Sequence, residues 1–231
     1  MSKSILSRPY LSRIDFFKKI SRGKTVLHLG CSSGRFIEDR IKRGDLLHEI
    51  LNSEAAELFG VDIHEVSVQL LRKLGYKNIF VGNVELLDDL DMNREFDIVI
   101  AGDLLEHITR PGAMLDGVKR FINRSGKFIV STNNAFGIHY QIKRWLGVYK
   151  EHHEHVCFYS PETLRNLFER HGYTILEMYG AFTTPPHSAR QKLIFALASP
   201  IFRFLPVLAG TLIVVATPAN TVEPDMLAGS D

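Results

Sequence analysis

Val26-Leu27-His28-Leu29-Gly30-Cys31-Ser32-Ser33-Gly34-Arg35-Phe36 changes character twice over a short span. Three apolar residues interleaved with His28 read as a buried strand, Gly30 to Gly34 as a tight turn, and Arg35 onward as a helix. Strand, glycine turn and helix in that order build the ligand corner of a doubly wound α/β domain. Gly30 lets the chain turn through φ angles closed to other residues, and Gly34 lets a ligand approach the backbone. The spacing is Gly-x-x-x-Gly, not the Gly-x-Gly-x-x-Gly of a dinucleotide site, so a pyrophosphate is not the expected guest.

Working outward, 231 residues suit one α/β domain with decorations. A net charge of +2 supplies no basic stripe, so no nucleic-acid partner is expected. Cys31 and Cys157 lie far apart and form no disulfide framework, which points to a reducing compartment. Met1 to Lys19 lacks an apolar core of signal-peptide length, and a cytoplasmic location is the expectation. In residues 1–22, Ile14, Phe16, Phe17 and Ile20 fall at helical spacing, for a helix that covers the sheet edge; 23–219 read as the single domain, and 220–231 as a disordered tail.

Between Phe36 and Phe59, Gly44 divides an apolar stripe into a short helix, a loop and a second helix. Gly60-Val61-Asp62-Ile63 is a second strand ending in an acid, which suits either two ribose hydroxyls or a helix N-cap. Val66 to Leu74 is helical, and Ile79 to Glu85 is a third strand with its exit loop. In Glu95-Phe96-Asp97-Ile98-Val99-Ile100-Ala101-Gly102-Asp103-Leu104-Leu105-Glu106-His107-Ile108, the run Ile98 to Ile100 is that of a central strand buried on both faces. Asp103 and His107 fall about one helical turn apart and could face one cleft. After a helix begun at Arg110-Pro111-Gly112, Ser125-Gly126-Lys127 is expected to turn into strand five, Phe128 to Thr132.

From Val26 to about Gly180 this order resembles the class I S-adenosylmethionine-dependent methyltransferases, most specifically through Phe96-Asp97, the apolar strand and Leu105-Glu106-His107. The chain departs from that pattern at His28, where the family usually has Asp, and at Ser32, where it usually has glycine. The resemblance implies a Rossmann-like, seven-stranded, mostly parallel sheet with an antiparallel edge hairpin, and S-adenosylmethionine as cofactor. It also implies that Gly30, Cys31, Ser32 and Gly34 frame the methionine part, and that Asp62, with Ile63, holds the ribose. Asn83 and Val84 would take the adenine, and Ala101, Gly102, Asp103 and His107 would flank the methionine part. As an alternative to covering the sheet edge, the resemblance makes the helix within residues 1–22 a cap helix over the cofactor. Within that family the chain resembles the small-molecule O-methyltransferases of the ubiquinone-biosynthesis type and relatives found with sugar-modifying enzymes. The implied reaction is methyl transfer to a hydroxyl of a sugar, phenol or lipid-like acceptor. A cofactor-binding scaffold of the same fold without turnover is the alternative that His28 and Ser32 keep open. An NAD-dependent enzyme is a second, opposed by the missing dinucleotide spacing.

The stretch 135–160, rich in aromatic residues and histidines, reads as a substrate-facing insertion, because strand-end loops build substrate sites in α/β enzymes. Trp145 and Tyr149 could floor a pocket or simply pack on the domain. In Glu151-His152-His153-Glu154-His155, an imidazole suits removal of a hydroxyl proton as the methyl arrives. The family pattern of His, apolar residue and Tyr-Ser makes His155 the first candidate base, and His152 the second. These residues could also hold a metal, but neighbouring side chains diverge, so at most two converge and no metal is assigned. Ser160-Pro161 opens a helix that stops at Gly172, and Tyr173 to Tyr179 is strand six. Pro200, Arg203 and Pro206 interrupt the last apolar stretch below membrane-span length. It divides into a helix at Gln191 to Ala198 and strand seven at Thr211 to Val215, with weak membrane-surface contact through 193–210 left open. No repeat or heptad sets an oligomeric state.

Overall fold

Alternation along the strands sorts the apolar side chains onto two faces of one sheet. On β1 (Thr25–Leu29), Leu27 and Leu29 join one core while Val26 joins the other. On β4 (Phe96–Gly102), Val99 and Ala101 follow the first face, Ile98 and Ile100 the second. Near-continuous apolar runs in β1 and β4 are therefore the mark of burial on both sides, as expected for parallel strands.

The computed structural model describes residues 6, 12–182, 202 and 204–219. The expected helix at 191–198, nearly all of 193–203 and the tail at 220–231 lie outside the described residues. The remaining strands are β2 (Glu57–Asp62), β3 (Ile79–Val81), β5 (Ile122–Asn133), β6 (Tyr173–Ala181) and β7 (Thr211–Pro218). Their order across the sheet is β3-β2-β1-β4-β5-β7-β6. β1 to β5 pair in parallel, and β7 runs antiparallel to both β5 and β6. The fold is the doubly wound, seven-stranded, mostly parallel sheet with its antiparallel edge.

Helices cover both faces. α1 (Arg13–Ser21), capped by the Ser12 side chain, and α3 (Leu47–Asn52) bury Phe16, Phe17, Leu47 and Leu51 against the second face. Each fully buried side chain of this size contributes about 2 kcal/mol from apolar burial. α5 (Pro111–Val118) and α7 (Pro161–Arg170) bury Met114, Leu115, Leu164 and Phe168 against the first. α2 (Ile37–Arg43) and α4 (Glu65–Lys73) close a smaller core around Cys31 and Ile79. Gly44, at φ 66°, ends α2 as the division of that stretch requires. Ser160 caps α7 in a capping box completed by Thr163.

Two expectations are corrected. Ser125 to Lys127 is not a turn before β5 but part of it. A Cβ on Gly126 would meet the Phe96 carbonyl oxygen at 2.8 Å, so glycine admits close approach where the β4–β5 register shifts. Trp145, at the end of α6 (Ile138–Trp145), neither floors a pocket nor packs on the domain: it is 79% exposed, and no residue of α6 is buried. Among the described residues no helix is long and apolar enough to cross a membrane.

Candidate active site

The glycine corner is made of left-handed backbone. Gly30, Ser33 and Gly34 have φ of 70°, 59° and 53°, a region that costs glycine little and a serine more. What holds the corner in that shape is Asp62 at the end of β2. Its Oδ2 accepts the Ser32 N–H at 2.8 Å and its Oδ1 accepts the His64 N–H at 2.9 Å. The Ser67 hydroxyl, from α4, donates to the Gly34 carbonyl at 2.8 Å. Asp62 is therefore both a brace of the turn and, with a lone pair left on each oxygen, an acceptor open to a ligand.

A cavity of about 780 Å³ opens over the carboxyl ends of the strands, as the topology dictates. Gly30, Gly34, Asp62, Ile63, Asn83 and Val84 line one side. Gly102, Asp103 and His107 line the other, where they are joined by His152 and His155 of the insertion. Cys31, Ser32 and Ala101 are fully buried and do not line it. Gly102 is small for a reason of packing: a Cβ there would meet Leu47 Cδ2 at 2.6 Å.

Several lining residues carry chemistry that sequence patterns did not single out. Arg13, on α1, pairs with Asp103 Oδ2 at 3.1 Å and donates to the Ser131 hydroxyl at 3.1 Å. Asp103 itself sits at φ 51°, its N–H bonded to the Ser131 carbonyl at 2.9 Å and to the Ser131 hydroxyl at 3.1 Å. Glu106 is buried; one carboxyl oxygen accepts from Thr132 Oγ1 at 2.8 Å, and the other has no hydrogen-bond partner among the described residues. Burial, and then the nearby Asp103, push its pKa up to about 8. No local motif marks Arg13, because its role is set by a partner ninety residues along the chain.

The insertion is fastened across the cavity at two points. The Val156 N–H donates to the Glu106 carbonyl at 2.9 Å, which sets His155 beside His107. Arg35, in the glycine corner, pairs with Glu154 at 3.0 Å and bonds to His153 Nε2 at 2.5 Å. His153 is thus drawn to the surface, while His152 and His155 line the cavity. His155 Nδ1 bonds to Glu151 Oε1 at 2.7 Å, and Glu151 also accepts the Tyr149 hydroxyl. His107 is half-buried, and burial, followed by His155 nearby, lowers its pKa. Two histidines of the insertion converge, as their spacing allows; the third ring of the cluster, His107, arrives from the end of β4.

His28, the departure within β1, has a different setting. Its Nδ1 lies 3.3 Å from His48 Nδ1 in α3, with the rings stacked 5.5 Å apart. Both are buried, so one must donate to the other while both stay neutral.

The lining suits the cofactor that the resemblance implies. Asp62 offers paired acceptors to a diol, Gly34 has open space where a Cβ would stand, and Glu106 presents an orphaned oxygen. Residues 3–178 match the family model described as a methyltransferase domain. Over 171 residues the chain is 26% identical to the ubiquinone biosynthesis O-methyltransferase of Nitrobacter winogradskyi, covering 71% of this chain and 61% of that one. It thus spans about three fifths of that curated relative's length. The fold is similar to the magnesium protoporphyrin IX methyltransferase of Synechocystis with bound S-adenosylhomocysteine (TM-score 0.53, 16% identity, covering 89% and 81%). It is also similar to an S-adenosylmethionine-dependent methyltransferase from Mesorhizobium loti (TM-score 0.51, 20% identity, covering 88% and 94%).

Proposed function

The chain belongs to the methyltransferase-domain family of S-adenosylmethionine-dependent enzymes, and from that premise we propose that it methylates a hydroxyl of a small-molecule acceptor. One observation carries the reading: the glycine corner with Asp62 and the histidines of the insertion border the same cavity. A cofactor held at the first would present its methyl group within a space that the second also lines.

Asp62 holds the ribose hydroxyls, Asn83 and Val84 the adenine, and the Gly30–Gly34 backbone frames the methionine part. When bound, S-adenosylmethionine would supply a methyl carbon on a sulfonium sulfur, open to in-line attack by the acceptor oxygen with S-adenosylhomocysteine as the leaving group. Arg13, by pairing with Asp103, fixes the floor of β4 against α1 and keeps that carboxylate from turning freely. His155, oriented by Glu151, receives the acceptor's proton, with His152 second in line. The residue of that step is a modest factor of about 10²–10⁴; the larger part comes from holding the acceptor oxygen in attack geometry.

The curated relative's name, an O-methyltransferase of ubiquinone biosynthesis, supports an oxygen acceptor, and the imidazoles support an acceptor that must lose a proton. The test is transfer of labelled methyl from S-adenosylmethionine to a panel of catechols, other phenols and sugars. The expected result is turnover on a phenolic or sugar hydroxyl. Turnover confined to amines or thiols would overturn the choice of acceptor. Cofactor binding without turnover on any member would favour the scaffold alternative.

A further inference from the structure

A single general base needs one ring, yet three imidazoles meet at the edge of this cavity. Ring nitrogens of His107, His152 and His155 all lie within 4.8 Å of one another. The His155 ring centroid is 4.7 Å from that of His107 and 5.1 Å from that of His152. Two backbone hydrogen bonds build the group: Val156 N–H to the Glu106 carbonyl, and His155 N–H to the His152 carbonyl at 3.0 Å.

One ring is also held from behind. Glu151 takes the Nδ1 side of His155, which leaves Nε2 for another partner. Carboxylate support behind an imidazole is the arrangement that orients a histidine as a metal ligand and raises its basicity. No carboxylate joins the three rings among the described residues: Asp103 pairs with Arg13, Glu154 with Arg35, and Glu106 bonds to Thr132 through one oxygen while the other lies outside the cluster. What remains is an all-nitrogen set, which suits zinc, cobalt, nickel or copper over magnesium or calcium.

We propose that His107, His152 and His155 bind one divalent cation of the zinc class, with a coordination position open to the cavity. Three histidines plus an open position is the ligand count of catalytic zinc sites. Cation binding stands independently of the methyl-transfer reading; its use rests on that reading. An acceptor hydroxyl in the open position is acidified and held by the cation, and its proton passes to water. The cation takes the lone pair that a metal-free His155 would use as a base, so the loaded protein activates the hydroxyl through the metal.

The test uses full-length chain freed of metal by chelation, titrated with Zn²⁺ by calorimetry and with Co²⁺ by visible absorption. S-adenosylmethionine is titrated into the same preparations. One Zn²⁺ per chain is expected, with a Co²⁺ d–d band of a low-coordinate site. His152→Ala and His155→Asn should each weaken binding by roughly 100-fold or more. Glu151→Gln should weaken it by about 10–100-fold, and His153→Ala, outside the cluster, by less than about threefold. His152 is partly exposed, and thermal melts identify any variant that fails to fold. Absence of stoichiometric zinc, or zinc binding that survives both His152→Ala and His155→Asn, overturns the site. Zinc binding as described without cofactor binding keeps the site and overturns the methyl-transfer reading; cofactor binding without zinc does the reverse.

Discussion

The His28–His48 pair and the His107–His152–His155 cluster are built from one kind of side chain in two different media. The pair is buried, 2% and 1% exposed, with only His28 touching the cavity wall and Tyr76 meeting His48 edge-on at 5.5 Å. Burial lowers the pKa of His28 well below its ordinary value, with His48 and Arg13 adding to the effect, and lowers that of His48 to about 4. Its imidazoles stay neutral and serve as packing with one internal hydrogen bond. The cluster faces a cavity, is backed by Glu151, and leaves ring nitrogens available. A histidine in a sequence is therefore ambiguous until its medium is known; the same residue type is a brick in one place and a tool in the other.

The sharpest break between the two comes from removing one ring of each. His155→Ala should lower methyl-transfer turnover by about 10²–10⁴-fold, on the order of 3–5 kcal/mol in the barrier, whether the ring acts as base or as ligand. Its melting temperature and cofactor affinity should hold. His48→Ala should do the opposite. It leaves a void and strips His28 of its partner, at about 3 kcal/mol of stability read from urea unfolding, with turnover per folded molecule falling far less than in His155→Ala.

Acid should find the pair as well. Its imidazoles are neutral in the folded chain and protonate near 6.5 once unfolded, so the unfolded state binds more protons below that pH. Stability is full above pH 6.5 and falls as pH drops toward 4, by about 3 kcal/mol from His48 alone. Urea midpoints at a series of pH values check this, and His48→Leu should flatten the slope. The smallest effect belongs to Trp145→Ala. An exposed side chain on an unburied helix should change stability by less than about 0.5 kcal/mol and leave cofactor binding alone.

The sheet and its glycine corner were legible because their signals are local. Strand, turn and helix sit side by side in the chain from Val26 to Phe36, and the apolar run of β4 needs no distant partner to be read. The candidate site was legible in part for the same reason: Asp62 ends β2, and His107 sits in the short turn of helix that follows β4. The rest depends on contacts between distant segments. That Arg13 reaches Asp103, that His28 finds His48, and that the insertion is pinned to Glu106 follows from packing, which no window of sequence encodes. Trp145 misled because an aromatic residue carries the same apolar signal whether its helix packs or not. The turn expected at Ser125 to Lys127 misled because glycine also serves close strand approach.

The central claim is that one cavity holds the cofactor at Asp62 and an acceptor at the histidines. Calorimetric titration of S-adenosylmethionine and S-adenosylhomocysteine into the wild type and Asp62→Ala, with melts recorded alongside, tests it most directly. The account predicts micromolar binding of both to the wild type and its loss in a folded Asp62→Ala. Absence of binding to the wild type, or binding indifferent to Asp62, would contradict it.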